Sequence, residues 1–560
     1  MTPPPTGFLG LPNELLSVIA LLLDHRDIVH LSMVCRRIQN VYRASKELQY
    51  IVDLGRLGYV DGPPQCPLSI SERHELLLSR RRAWDHAMPH LTAAHPSADQ
   101  SYTLDLAGNV YVHYAVSRNP QLVIHYLPSR ACEATTIEVP ELDVLLDSLA
   151  IDPSQDLLAF VEGHIDPDEP LTEEGLFGTD LHGRIAVHLR SLSSPDAAAH
   201  GQAFVPILRT DCTYAFLAGS AIHIAGSSLA LFSAYPDSFL MIWNWNSGEQ
   251  LFYMDFEHFD YAHLQCHGFT YLSMSAFSLT QTDPSMASTL LIPFDPTGQT
   301  KGAPKDMIQT CTRLLFPRPY IRQNRILYIT AGTSSLGRPE PRRQAFVPSP
   351  ASRLHSFFIK IVHHEDHEAG SVQMDTVLAV IVKTSTLLSW ISSGAQPGRR
   401  VAWSEWAPGN VRIVEQGETS HLSDVAFSGS RVTFGVQYSR THENPEGPVA
   451  HYILDFNTAQ RSVTSDYAER TFNDDHSVAV ARRLIGSEET AISMGLKPES
   501  GSFDWTQETV TRQLPCLCTG LKDSIFGEED DVLLDDMYIM KSVYTLDLNE
   551  EHDPTTIYVF

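Results

Sequence analysis

From Asn13 to Leu23 the chain is apolar on almost every side of a helix. The only polar side chains in that run are Asn13, Glu14 and Ser17. Leu11, Leu15, Ile19 and Leu22 recur at helical spacing, and Leu16, Ala20 and Leu23 form an adjoining stripe. Pro12 stands in a first helical turn, where its missing N–H costs nothing. A second stripe, Ile28, Leu31, Val34, Cys35, Ile38 and Val41 or Tyr42, opens after Asp27, which reads as its N-cap. The pattern predicts helix from residue 11 to about residue 50. Another helix is predicted over 69–87, where Leu76-Leu77-Leu78 leads into Arg80-Arg81-Arg82 and Trp84, with Pro63-Pro64 before it and Pro89 at its end. Its place in the chain suggests a linker or clasp between two domains.

The period changes near residue 100. Short runs of alternating or β-branched residues follow, broken by Gly, Pro, Asp and Asn: Asn109 to Val116, Leu122 to Tyr126, Leu157 to Val161, Ile185 to Leu189, Ser228 to Ser233 and Leu240 to Trp245. Others run from Ile326 to Thr330, Ser356 to Val362, Thr376 to Lys383, Arg431 to Tyr438, His451 to Phe456 and Ser542 to Leu548. Many short strands at this spacing predict an all-β sandwich, barrel or propeller. The stretch is too long for one sandwich or barrel, and blades of ~40–60 residues would give about seven. Asn246-Ser-Gly248 reads as a tight turn between two strands of one blade. The only Trp-Asp dipeptide, Trp84-Asp85, lies in the helix before the strands, so the usual propeller signature is missing and two tandem sandwiches stay open. The expected layout is a leader 1–10, a helical module 11–52, a linker 53–98 and a β domain 99–560. His164 to Gly183 and Leu336 to Ser352 are expected as rim loops, where scaffolds usually carry recognition.

Hydrophobic residues make up 43% of the 560, enough to bury a sizeable core, and the net charge of −27 argues against nucleic acid and anionic membranes as partners. The apolar run Leu15 to Leu23 is far shorter than the ~20 residues a membrane helix needs. Its first basic residue comes only afterwards, at Arg26, so it does not read as a secretory signal either. None of the eight cysteines has C-x-x-C spacing and no asparagine begins a glycosylation sequon. The cysteines are therefore expected to be reduced thiols, in cytoplasm or nucleus.

A helix apolar nearly all round must be buried on more than one face. A module of some 40 residues is too small to bury everything it carries. One stripe packs on the second helix, and the other needs a different protein or the β domain. The run Leu11-Pro12-x-Glu14-Leu15-Leu16-x-x-Ile19, then Leu23, then Asp27-Ile28-x-x-Leu31-Ser32-x-Val34-Cys35-Arg36-Arg37, resembles an F-box. The Trp that many F-boxes carry near the end is replaced by Lys46-Glu-Leu-Gln49, which implies a lower adaptor affinity. The stretch Leu54 to Gly62, with the whole layout, is similar to a large group of F-box proteins of mushroom-forming fungi. The resemblance implies docking on a Skp-type adaptor, and through it on a cullin, by Leu11, Pro12, Leu15, Leu16, Ile19, Leu23, Ile28, Leu31, Val34 and Cys35.

Other candidate chemistry is thin. His363-His364-Glu365-Asp366-His367-Glu368 has ligand types for zinc or nickel but no fixed spacing, and reads as a solvated hairpin loop. Cys516 and Cys518 share a strand face and read as structural thiols, and Glu528 to Asp536 is an acidic run without the alternation of a calcium loop. Trp243 and Trp245 share a face that suits stacking on a sugar or peptide, though core packing is the commoner use. Arg80-Arg-Arg82 reads as a solvated helix face rather than a nuclear signal. No Gly-x-Ser-x-Gly elbow, Gly-Lys dipeptide or His-Glu-x-x-His motif occurs. The expected protein is thus a helical F-box followed by a large β domain, most readily a propeller of about seven blades. It would act as the substrate receptor of a cullin-based ubiquitin ligase, binding an unidentified target, with no cofactor, no metal and no enzymatic activity of its own. An adaptor-bound scaffold, or a propeller enzyme or sugar-binding protein with incidental helices, are the competing readings.

Overall fold

The computed structural model describes residues 7–62, 66–95, 101–115, 121–128, 133–139, 146–165, 182–194, 198–213, 220–234, 238–256, 265–283, 286–298, 304–317, 325–333, 345–365, 372–392, 398–416, 426–437, 449–457, 469–471, 479–485, 516–521, 530–534, 538–543 and 555–560, with positions 196, 336 and 514 besides. The expected run of helix up to about residue 50 is divided into four helices: α1 (Asn13–Leu21), α2 (His25–Val34), α3 (Arg36–Ala44) and α4 (Lys46–Leu57). Local chemistry makes the divisions. The Asp24 carboxylate accepts from Arg26 N at 2.9 Å, so Asp24 caps α2, and Asp27 sits inside its first turn rather than before it. Cys35 is extended between α2 and α3. Ser45 caps α4 by accepting from Leu48 N at 3.2 Å. Gly58, at φ +78°, ends α4 in the left-handed conformation that glycine adopts without strain. Leu16, Ala20, Ile28, Ile38, Val41, Leu48 and Val52 form the core of this module.

The clasp is more elaborate than one helix. Helix α5 (Ile70–His86) begins with a reciprocal capping box between Ser69 and Glu72. The strand Tyr59–Asp61 pairs antiparallel with Phe346–Pro348, which the β domain supplies. Part of the Pro-rich stretch expected as a rim loop is therefore a docking strand, because its extended backbone completes a ladder with the linker. Most of the other expected loop, His164 to Gly183, lies outside the described residues. Asp61 gathers Tyr50 Oη at 2.7 Å and Arg73 Nη1 at 2.9 Å, and Asp53 of α4 meets His74 of α5 at 2.8 Å. At the far end of α5, the Trp84 ring stacks on Phe560 at 4.1 Å, and the Arg431 guanidinium lies 4.2 Å from the Trp84 ring centre. Trp84, Ala83, Ile453, Leu521 and Phe560 share one buried cluster, so the linker helix is packed into the β domain.

The β domain is a propeller. Among the described residues six blades are sheets whose antiparallel strands come from successive stretches of chain: 101–139, 146–213, 220–255, 265–315, 325–416 and 426–521. Six is slightly fewer than the about seven expected. The further sheet is composite: Asp530–Leu534, Tyr538–Val543 and Thr555–Val559 are joined by Leu91–His95, whose Leu91 faces Val559. Leu91–His95, expected in the linker, thus closes the ring by pairing the start of the β region with its end. Blade cores alternate with cores between blades. Leu229, Leu231, Met241, Trp243 and Trp245 pack on Val161, Ile185, Val187 and Leu189 of the preceding blade. Blade 265–315 gains Arg400–Val401 as a fifth strand, parallel to Thr312–Leu315.

Candidate adaptor-docking surface

The helical module is where the chain leaves apolar side chains in water. Seven of the thirteen exposed large apolar residues among the described residues fall within its first 34 positions: Phe8, Leu9, Leu15, Val18, Leu22, Met33 and Val34. Leu15, Val18 and Leu22 are spaced three and four apart, so they form one stripe along α1. Leu15 is 49% exposed and Leu22 82%. The opposite face of α1, Leu16 and Ala20, is buried against α2, α3 and α4. Val34, 69% exposed, ends α2 beside the extended Cys35. Arg37 fixes the approach of the leader: its guanidinium donates to the carbonyls of Leu9 and Leu11, the latter at 2.6 Å. These bonds tie the end of the leader to the first turn of α3. Apolar side chains exposed in this number on one small module make it a candidate interaction surface.

The ten residues expected at the adaptor contact divide by burial. Pro12, Leu15 and Val34 are exposed. Leu11, Ile19, Leu23, Leu31 and Cys35 are half-buried, and Leu11, Leu23, Leu31 and Cys35 lean on the module's own core. Leu16 and Ile28 are each only 2% exposed, so they hold the module together and offer no surface. Each helix divides its apolar side chains by angle, and Leu16 of α1 and Ile28 of α2 point inward. Val18, Leu22 and Met33 are exposed as well, and Arg37 anchors the leader, although none of the four is in the expected set. The signal for Leu22 was present in its stripe with Leu15, whereas the role of Arg37 depends on carbonyls 26 and 28 residues away.

The other candidates resolve by location. Trp243 and Trp245 are core residues, and Trp245 Nε1 donates to Gly226 O at 2.8 Å, so neither forms a stacking platform. Trp406 Nε1 donates to Leu315 O at 3.0 Å within the core between two blades. His363, His364 and Glu365 extend the strand Leu354–Glu365 rather than starting a loop, and 366–368 lie outside the described residues. Cys516 is buried and in no disulfide, as are Cys66, Cys266 and Cys311, and the side chain of Cys518 lies outside those described. Of the acidic run, Asp530 and Asp531 begin a strand of the closing sheet, and 528–529 and 535–536 lie outside the described residues. Among the described residues no three His, Cys, Asp or Glu side chains converge as a metal site would need. Among them, too, no helix is long and apolar enough to cross a membrane.

An open cavity of about 350 Å³ lies between the blades, lined among others by Asp105, His223, Tyr271 and Arg353. Burial pushes the Asp105 carboxyl up to about 6, although the backbone N–H of Ile151, at 2.9 Å, opposes the shift. Burial pulls His223 down to about 4. No nucleophile paired with a base occurs there among the described residues.

The F-box domain family matches residues 8–41, the leader and the first three helices, so the N-terminal module is an F-box domain. No curated protein matches the chain. Among solved structures, the chain is similar to the WD40 domain of Toxoplasma gondii coronin, at 10% identity over 77% of this chain and 86% of that one, with a TM-score of 0.32. It is also similar to Chaetomium thermophilum Sqt1, solved with the N-terminus of ribosomal protein L10, at 11% identity over 63% and 82% and a TM-score of 0.28. The computationally designed Ika8 protein aligns at 9% identity over 84% and 100%, with a TM-score of 0.31. Superpositions this loose carry no functional inference. An F-box joined to a propeller is the layout of an F-box substrate-recognition protein, and F-box domains generally bind Skp-type adaptors.

Proposed function

We propose that this chain is the substrate-recognition subunit of an SCF-type, cullin-based ubiquitin ligase, working in cytoplasm or nucleus. The observation that carries the reading is the outward stripe Leu15, Val18 and Leu22 on α1, in a module that also exposes Val34, Phe8 and Leu9. These side chains would be covered by a Skp-type adaptor. Covering one fully is worth ~1.5–3 kcal/mol, and a few together make a hot spot. The clasp supports the same reading. A receptor must hold its target at a set distance from the ligase core, and α5, the paired strands and the Trp84–Phe560 stack couple the module to the propeller. The chain itself breaks and makes no bonds. It brings a target lysine to a conjugating enzyme carried by other subunits, and the gain is one of proximity. The propeller binds the target, and a net charge of −27 favours a basic one.

Calorimetric titration of a Skp-type adaptor into the full chain tests the proposal, beside the Leu15→Asp, Leu22→Asp double variant. Both side chains face water, so the variant keeps the parent's unfolding temperature. Affinity should fall by about a hundredfold, equivalent to ~2.7 kcal/mol. An unmutated chain that binds no adaptor, or a double variant that binds as tightly as its parent, would sink the receptor reading.

A further inference from the structure

The strongest unassigned feature is a cleft of about 550 Å³ where three parts of the molecule meet. The F-box contributes Arg26 from α2 and Arg56 from α4, the linker helix Arg80 and Arg81, and blade 426–521 Arg431. Among the described residues two carboxylates line the cleft with them, Asp85 and Asp455, and Asp24 stands beside His25 and Arg26 at its edge. Arg81 pairs with Asp85 and Arg431 with Asp455, each at 3.4 Å. Arg26 and Arg56 make no ion pair among the described residues and are exposed. In a chain with a net charge of −27, five guanidiniums against two carboxylates in one cleft is a marked local reversal of sign.

Two details show that the cleft is built rather than incidental. His25, on its wall, keeps a buried Nε2 without a hydrogen-bond partner. Its ring lies directly on the backbone of α4 at Gly55: a Cβ added there would meet His25 Cγ at 2.2 Å. A glycine inside a helix costs about 1 kcal/mol relative to alanine, and here it makes room for the imidazole. Positive charge also reaches beyond the cleft, since Arg26 helps burial hold the Lys383 ammonium below its ordinary range.

We propose that this cleft binds a phosphate-rich anion of small-molecule size. Guanidiniums suit phosphate because they offer paired N–H donors and keep their charge. His25 Nε2 would gain the partner it lacks. Because the arginines come from the F-box, the linker helix and the propeller, the bound anion would bridge all three and stiffen the angle between module and propeller. The inference goes beyond the receptor reading and holds whether or not the module docks an adaptor.

The test is calorimetric titration of the full chain with sodium tripolyphosphate, at low and at physiological ionic strength. A peptide carrying two adjacent phosphoserines is titrated in parallel. The Arg26→Gln, Arg56→Gln double variant is compared with Arg209→Gln, which removes an exposed arginine of blade 146–213. Saturable tripolyphosphate binding is expected, raising the unfolding temperature and weakening with salt. The double variant should bind about tenfold more weakly or worse, while Arg209→Gln binds as the parent does. Equal binding by all three proteins, or no saturable binding, overturns the proposal. Tighter binding of the phosphopeptide than of tripolyphosphate overturns it as well, because the phosphates would then belong to a protein segment. Adaptor binding is not read in this experiment, so its outcome is separate from that of the receptor proposal.

Discussion

The F-box and the second and third blades of the propeller use the same residue types to opposite ends. Between 146–213 and 220–255, leucines, valines and two tryptophans close over one another until even Ser228 is fully buried. In the F-box, Leu22 stands in water one residue away from the core-facing Leu23. The difference is geometric. A blade presents a flat face to each neighbour and covers both. A four-helix body of under 60 residues has too much surface for its volume, so an all-apolar helix within it is covered on one side only. The propeller also leaves a few apolar side chains in water, Leu91 and Phe204 among them, but only the first helix of the F-box module exposes a whole stripe, Leu15, Val18 and Leu22.

That contrast can be broken most severely at Trp245. Its Nε1–Gly226 bond and complete burial predict a loss of about 3–5 kcal/mol for Trp245→Ala. Urea unfolding followed by circular dichroism measures it, and a loss under about 1 kcal/mol would contradict the packing described for the two blades. Leu16→Ala asks the same of the inward face of α1 and should cost about 2–5 kcal/mol, read as earlier melting of the helical signal. Were Leu16→Ala neutral, the division of α1 into an inner and an outer face would be wrong.

Acid offers a third comparison. His355 is fully buried in blade 325–416; burial first, and then the charge of Arg353, pull its imidazole from 6.5 down to about 3. The unfolded chain takes up this proton as pH falls through 6.5, while the folded chain stays neutral. The stability concerned is therefore complete above pH 6.5. It declines by up to about 1.4 kcal/mol per pH unit between there and pH 3. Unfolding midpoints from pH 7 to pH 4 should show a shallower slope for His355→Gln, and parallel slopes would refute the burial of a neutral ring. The smallest effect is expected at the outer face. Leu22→Ala should change stability by no more than about 0.5 kcal/mol yet weaken adaptor binding, so a large loss of stability would mean that Leu22 is covered by its own chain.

Some features were legible without coordinates because they are local. The 3.6-residue period of Leu11 to Leu23 marked α1. Ser69 and Glu72, three apart, mark the start of α5. The run Ser228 to Ser233 coincides with a strand from end to end, and Gly248 at φ +77° makes the turn read at Asn246-Ser-Gly248. The caps that divide the helices were harder to choose. Asp24 and Asp27 are both good N-caps, and only the backbone path shows that Asp24 accepts from Arg26 N. The apolar period separates the stripe of Leu15 and Leu22 from that of Leu16 and Ala20, but it does not say which stripe faces the core, so the resemblance names Leu15 and Leu16 alike as docking residues.

The sequence alone determined that an apolar helical module of F-box pattern precedes a long β region, because periodicity and caps act over a few residues. Only the tertiary structure decided which leucines of α1 are covered, since that depends on where α2, α3 and α4 lie. The same holds for Leu91–His95 pairing with Thr555–Val559 and for Phe346–Pro348 pairing with Tyr59–Asp61. It holds as well for the arginines at positions 26, 56, 80, 81 and 431, which share one cleft. These are contacts between residues tens to hundreds of positions apart, and nothing in a local pattern encodes which distant segment will come to lie alongside.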